Sequence, residues 1–263
     1  MILEVARGDE RLEPYRHVGD HHWLRGRQLF LAEGRLVFER LAASGAHRIR
    51  SVLVTPGAAA ALERILAAID APVYVASPDL LTEITGYDFH RGCLALAERP
   101  EAFPPDVPPG ARLVLALEGI GNPDNVGGLF RTAAAFGVDL VLLDEASGDP
   151  LYRKAVRTSM GAVLEMPFAR VPDLPATIAA LRSEGFTVVA LTPDGSAATL
   201  DDFVSAATLD RVLLMLGAEG SGLSPDALAA ATARVRIETT SRVDSLNVAV
   251  AAGIALSRVA QRP

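Results

Sequence analysis

Between Arg112 and Glu238 the chain repeats one pattern: a short, almost continuously apolar run, then a longer segment with helical spacing. The runs are Arg112–Leu117, Val138–Asp144, Phe186–Leu191, Val212–Leu216 and Ala233–Glu238, with a further strand inside Ala162–Arg170. Strands that are apolar on both faces must be covered on both, and helices between parallel strands do this. Helices are expected from Asn125 to Phe136, with Asn125 as N-cap and Gly137 past the end, and at Leu151–Met160, Leu174–Glu184, Pro225–Ala233 and Leu246–Arg258. The predicted architecture is α/β with a buried parallel sheet. Half of the 263 residues are hydrophobic, enough for its core. No stretch has the layout of a leader, and no run approaches the roughly 18 apolar residues that span a bilayer. The expectation is a cytoplasmic protein with no membrane partner.

Upstream, the five prolines and one glycine of 98–110 exclude a helix interior or a central strand and predict an extended linker. It separates residues 1–97 from 111–263. The first part reads as a small α/β layer, with strands at Gln28–Ala32, Ile49–Thr55, Pro72–Ala76 and Cys93–Ala97 and helices at Gly34–Ser44 and Ala58–Ile69. Net charge is -7, so the bulk composition does not announce nucleic acid, yet residues 1–50 carry nine Arg against seven acids. Cys93 is the single cysteine, which excludes an internal disulfide or a cysteine-based zinc site, and reads as a buried strand residue. The five His lack tight metal-ligand spacing, and His21-His22 reads as exposed; no metal is expected.

Three polar and glycine-rich clusters follow predicted strands, where ligands sit in open parallel sheets. The first, Leu117 to Arg131, places Gly127 and Arg131 four residues apart on one helical face. Arg131 on so apolar a helix needs a carboxylate, a phosphate or a backbone carbonyl. The second, Gly217-Ala218-Glu219-Gly220-Ser221-Gly222, could ring a small ligand with backbone amides, but lacks the third glycine of a dinucleotide fingerprint. The third is Ser245-Leu246-Asn247, where Ser245, Asn247 or Asp244 could cap the last helix. Each alone is ordinary turn or cap chemistry; together they suggest one site made of three loops. Arg153, Lys154 and Arg157 form a basic helix face of the solvated kind.

In order and spacing the clusters resemble the three motifs of the SpoU, or TrmH-like, RNA 2′-O-ribose methyltransferases of the SPOUT superfamily. Asn125 to Gly137 resembles motif 1, Leu216 to Ser224 motif 2, and Asp244 to Gly253 motif 3; Lys154 to Ala162 matches the pattern between the first two. The resemblance covers about residues 111–260. A departure lies before motif 3: where the family has Ile-Pro-Met and then Gly, this chain has Ile237, Glu238 and Thr239, with Ser241 at the usual glycine. Residues 1–97 are similar to the family's L30e-like substrate-binding domain through Arg27 to Gly34 and Arg91 to Leu96.

The resemblance implies a trefoil knot, S-adenosyl-L-methionine in its loops, and a homodimer that completes the site. It implies RNA as partner, ribosomal RNA ahead of transfer RNA; the alternatives are a transfer-RNA 2′-O-methyltransferase or an inactive RNA-binding relative. Residue by residue, it implies catalytic roles for Arg131, Asn125, Glu219, Ser245 and Asn247, with Asn125 and Glu219 positioning Arg131. It assigns the cofactor to Leu191, Thr192, Gly195, Leu216, Gly217, Gly220, Ile237, Leu246 and Asn247. RNA contacts are expected from Arg25, Arg27, Glu33 and Arg35, with Arg48 a further contributor.

Overall fold

The structure, a computed structural model, describes residues 2–87, 89, 92–100, 107–207, 209–240 and 245–260. Arg91, Ser241, Asp244 and the middle of the proline-rich stretch lie outside them. The chain divides into two compact units, Met1–Ala102 with Pro150–Glu165, and Phe103–Asp149 with Met166–Pro263. The segment Pro150–Glu165, expected in the second domain, therefore groups with the first unit.

The first unit contains β1 (Ile2–Glu4), β2 (Leu29–Glu33), β3 (Ile49–Val54), β4 (Val73–Val75) and β5 (Cys93–Glu98), in the order β1-β4-β3-β5-β2. The sheet is mixed: β5 runs antiparallel to β2 and β3, the other pairs parallel. Among the described residues of its N-terminal segment, short helices accompany it: α1 (Glu13–Arg16), α2 (His21–Arg25), α3 (Arg35–Ser44), α4 (Pro56–Ala61), α5 (Glu63–Ala68) and α6 (Pro78–Thr85). The single helix expected at Ala58–Ile69 breaks at Leu62, whose φ of -108° and ψ of 9° leave the helical region. Buried Ala58, Leu62 and Leu66 continue a four-residue spacing across the break, so periodicity does not reveal it. Cys93 is buried in β5, and burial pushes its thiol up to about 12. His22 is exposed, while His21 is half-buried edge-on against Tyr152.

The second unit contains β6 (Leu113–Glu118), α7 (Pro123–Ala135) and β7 (Leu140–Leu143); the chain then enters the first-unit segment with α8 (Arg153–Thr158) and returns at β8 (Phe168–Arg170). There follow α9 (Leu174–Ser183), β9 (Thr187–Leu191), β10 (Ala198–Thr199), α10 (Leu200–Ala206), β11 (Val212–Gly217), α11 (Pro225–Ala230), β12 (Ala233–Arg236) and α12 (Val248–Val259). Strand order is β10-β12-β9-β11-β6-β7-β8, and every pairing is parallel. One face of the sheet (Val114, Ala116, Leu142, Val188, Leu213 and Met215) packs on Leu174, Ile178 and Leu181 of α9. Each Val, Leu, Ile or Met side chain among these contributes about 1.5–3 kcal/mol when fully buried. From β6 the chain steps outward to β7 and β8, while β9, β11 and β12 lie on the opposite side of β6. Loops at the carboxyl ends of β6 and β11 diverge at this switch, where a ligand crevice forms.

Two expectations about charge change in the first unit. Glu33 is not an exposed RNA contact; at 2% exposure it is buried at the end of β2. Arg153 and Arg157 are not a solvated face, for both reach Glu33 Oε2, at 2.6 and 3.2 Å. Arg153 also donates to the Tyr87 hydroxyl at 2.7 Å, and burial raises the Tyr87 phenol to about 12, keeping it neutral. A carboxylate so buried is stable only with such cationic donors, and removing one partner of a buried pair costs about 3–5 kcal/mol. Glu33→Ala is therefore expected to destabilise the first unit by about that amount, measured as a lower urea midpoint in the emission of Trp23, the single tryptophan. A loss below about 0.5 kcal/mol, usual for surface substitutions, would refute the buried cluster.

Candidate active site

The N-cap of α7 lies three residues earlier than expected, and this frees the side chain at the centre of the site. Asn122, not Asn125, is the N-cap; its Oδ1 accepts from the Asp124 amide at 2.9 Å, and Pro123 follows at the first helical position. Asn125 thus lies inside the first turn, 6% exposed. Its Nδ2 donates to Glu219 Oε1 on the loop after β11. Its Oδ1 accepts from Asn247 Nδ2 at 2.9 Å. Asn247 is the N-cap of α12, its Oδ1 accepting from the amides of Ala249 at 3.0 Å and Val250 at 3.4 Å.

The chemistry of the two ends fixes both amide orientations. The helix amides demand an oxygen, so Asn247 turns its nitrogen toward Asn125; a carboxylate only accepts, so Asn125 turns its nitrogen toward Glu219. A directed line of hydrogen bonds runs from the positive end of α12 to the Glu219 carboxylate. It joins all three sequence clusters.

Acids at the ends of neighbouring strands build the opposite wall. Asp144, just past β7, accepts from the Gly119 amide at 3.0 and 3.1 Å and from the Ser147 amide at 2.9 Å. Ser147 Oγ accepts from the Ile120 amide at 3.1 Å, and Gly148 N donates to Ile120 O at 2.8 Å. Arg170 holds this loop from below, donating to the carbonyls of Asp144, of Ser147 at 2.9 Å and of Gly148 at 3.1 Å. Glu118, at the end of β6, accepts from Ser224 N at 2.8 Å and Ser224 Oγ at 2.7 Å, tying β6 to the cap of α11. Between Gly119–Asn122 on one side and Asn125, Ala218 and Glu219 on the other lies a cavity of about 150 Å³. The bonds of Glu118, Asp144, Ser147 and Arg170 were not anticipated from sequence, and Ser224 was expected only as a helix cap and motif residue. The available signal was an acid directly following an apolar strand at residues 118 and 144.

The loop after β11 closes over its own strand. A Cβ at Gly217 would lie 2.2 Å from the carbonyl carbon of Gly222 and 2.3 Å from Leu223 N, so no side chain fits. Gly220 and Gly222 take φ of +89° and +69°, the left-handed region glycine tolerates. Strand β9 pairs with β11 on one side and β12 on the other, which sets their carboxyl ends side by side. Leu191, Thr192, Gly217, Ile237 and Leu246 are half-buried at or after these ends, Leu216 is buried, and Gly195 and Gly220 are exposed. The Asp194 turn between Thr192 and Gly195 is ordered by bonds from Ser196, which hold its carboxyl below the usual carboxylate range.

Arg131 and Ser245 stand apart from the bonded set, and both are exposed. Six helical residues beyond Asn125, Arg131 lies about 9 Å along α7 and about 120° around it. Asn125 and Glu219 thus bond each other rather than positioning Arg131, which pairs with no described residue. Alongside, α12 packs closely on α7: a Cβ at Gly128 would lie 3.0 Å from that of Ala249. Val250 and Ile254, one turn apart on α12, are 52% and 37% exposed. In the first unit Arg25, Arg27, Arg35 and Arg48 are exposed. Among the described residues no group of three or more His, Cys, Asp or Glu could hold a metal ion, and no helix is long and apolar enough to cross a membrane.

Residues 112–257 match the model of the SpoU rRNA Methylase family. An uncharacterized tRNA/rRNA methyltransferase of Mycobacterium tuberculosis is 42% identical over 231 residues, covering 88% of this chain and 80% of its own. An AdoMet-bound rRNA methyltransferase from Sinorhizobium meliloti is similar in structure, with a TM-score of 0.83 at 25% identity over 98% of this chain and 97% of its own. A solved RNA 2′-O ribose methyltransferase gives a TM-score of 0.80 at 25% identity over 98% of each chain. With its three motif clusters joined at Asn125, the chain belongs to the SpoU family of RNA methyltransferases.

Proposed function

We propose that this protein transfers a methyl group from S-adenosylmethionine to a ribose 2′-hydroxyl of ribosomal RNA, and does so as a homodimer. The observation that carries the reading is the line Asn247–Asn125–Glu219, which joins the three motif loops beside a cavity lined by the first two of them. The 2′-oxygen specificity draws on the similarity to a solved RNA 2′-O ribose methyltransferase. The choice of ribosomal RNA follows the family description, with transfer RNA as the alternative target.

The cofactor residues fit an adenosyl group. Leu191, Leu216, Ile237 and Leu246 are apolar, and Gly217 lets the backbone of the loop after β11 fold tightly against its own strand. Such a set suits a flat ring held by apolar walls and backbone hydrogen bonds. In this reading the loops after β9, β11 and β12 are the strands of the trefoil knot. S-adenosylmethionine, when bound there, supplies a methyl group already activated on a sulfonium.

The chain must then orient the ribose hydroxyl and ease loss of its proton. A guanidinium offers donors only, so Arg131 does not serve as the base. Its donors hold the ribose and the adjacent phosphate and stabilise negative charge growing on the 2′-oxygen. The RNA phosphate or a water takes the proton. Asn125, Glu219 and Asn247 act as the frame, and Ser245 lines the entrance. Since Arg131 faces away from its own Asn125 cluster, a second copy completes the site. The exposed apolar pair Val250 and Ile254, on the helix packed beside α7, is the surface this second copy covers.

Mapping of alkali-resistant linkages in RNA from cells with and without the gene is expected to show one 2′-O-methyl position lost from ribosomal RNA; a methyl found on a base, or lost only from transfer RNA, would overturn that part of the reading. Arg131→Ala is expected to slow methyl transfer by about 10²-fold or more, with cofactor affinity nearly unchanged; wild-type turnover would remove Arg131 from the mechanism. Asn125→Ala leaves Glu219 and Asn247 each short of a partner and is expected to cost about 1–3 kcal/mol of stability. Asn125→Asp sets two carboxylates face to face, raising the pKa of one above its unfolded value. That repulsion acts while both are ionised, so the deficit of this variant should shrink as pH falls through the carboxylate range. A deficit independent of pH, in urea unfolding across pH 4 to 8 (about the carboxylate range and above it), would show that Glu219 is not the partner.

A further inference from the structure

We propose that the first unit carries a stacking platform for an unpaired RNA base, built from His17, Trp23 and Arg27; that the ligand is RNA rests on the methyltransferase reading above. The His17 ring lies 4.0 Å from the Trp23 ring with only 8° between their planes. The guanidinium carbon of Arg27 lies over the same indole, 3.9 Å from its centroid. Two groups this close to one ring cannot share a face, so the three form a column: imidazole, indole, guanidinium.

The column is ordered from within. His17 Nε2 donates to Glu13 at 2.9 Å, and the hydrogen bonds from His17 and then Arg16 hold the Glu13 carboxyl below its usual range. Asp20 caps α2 by accepting from the Trp23 amide at 2.9 Å, and Arg27 Nη1 donates to Trp23 O at 3.4 Å. Trp23 also packs against the core of the unit. Three flat groups held in place without a ligand lose little further entropy on binding one.

The outer end is open and cationic. Arg27 and Arg25 are both exposed, and neither pairs with an acid among the described residues. Arg11 and Arg16 nearby are each bound to one, Asp9 and Glu13. A guanidinium backed by an indole offers its other face to a flat π-system, and its remaining N–H groups are donors for a phosphate. A single-stranded nucleotide presents both a bare base face and a flexible phosphate. In a duplex the base faces are covered by their neighbours, so a paired strand cannot use the platform. Bases of any identity have a π-face, so the platform selects for unpaired structure rather than sequence.

The test uses the full-length protein without methyl donor. An end-labelled single-stranded oligoadenylate is titrated by fluorescence anisotropy, beside an RNA duplex of equal length, with Trp23, the sole tryptophan, as local reporter. The single strand is expected to bind more tightly than the duplex and to change the Trp23 emission. Both Arg27→Gln and Arg27→Lys should weaken it about tenfold or more, the loss of one stacked base. The lysine variant keeps the charge but not the plane. If it binds as wild type does, the contact is electrostatic alone and the platform is overturned; so it is if oligoadenylate does not bind, if the duplex binds equally well, or if Trp23 emission is unmoved at saturation. Circular dichroism of both variants should match wild type, as Arg27 is exposed. Methyl transfer is assayed separately on total RNA. Binding with these properties but no transfer would defeat the methyltransferase reading and leave the platform standing; transfer without it would defeat the platform alone.

Discussion

A buried carboxamide has an acceptor end and a donor end, and leaving either without a partner costs about 1–3 kcal/mol. Asn125 meets that requirement with partners 94 and 122 residues away in the chain. Three segments must come to one point before its burial is tolerable: the first turn of α7, the loop after β11 and the cap of α12. Direction matters as much as distance. The line begins at helix amides that only donate and ends at a carboxylate that only accepts, so each amide has one orientation that satisfies its neighbours. A core of apolar side chains would hold the same elements together, but would leave more than one arrangement of similar energy; a polar line with fixed ends leaves one.

The remaining frame follows from parallel pairing. Parallel strands bring all their carboxyl ends to the same edge of the sheet, where each must be followed by a loop with unpaired amides. Glu118 and Asp144 sit at two of those ends and take up amides from loops that leave the sheet in different directions. Arg170 then gathers the carbonyls of the outer loop. The cavity beside Asn125 is the space left when these loops are held apart. Its walls are tied together by hydrogen bonds between loops, which suits a site that must align an incoming group.

Much of this arrangement was readable beforehand where the cause is local. The apolar runs marked every long strand of the second unit, and Ser224-Pro225 marked the start of α11. The same signature, Ser77-Pro78, starts α6. Helices α1 and α2 span four and five residues, too few to show a period. The misplaced cap is instructive. Asn122 and Asn125 are both good caps, but Pro123 favours the first helical position, and that locates the cap at 122. Reading 125 as the cap assigned its side chain to helix amides, when it was free to bond elsewhere. Glu33 misled for another reason. An acid at the end of a strand looks exposed unless its partners are known, and Arg153 and Arg157 come from 120 and 124 residues downstream.

The sequence by itself determined the parallel α/β architecture, the order of the motif loops and the family. Each of these rests on hydrophobic period, backbone stereochemistry of glycine and proline, or spacing within a short segment, and all are local properties. Only the tertiary structure decided which polar residues form the frame and which face outward to act. Buried Asn125 is bonded to Glu219 and Asn247 at the rim of the site, Glu33 was buried by two arginines, and Arg131 was left without a described partner. The reason is that a hydrogen bond between distant segments depends on how the sheet brings strand ends together, and no spacing within a segment encodes that.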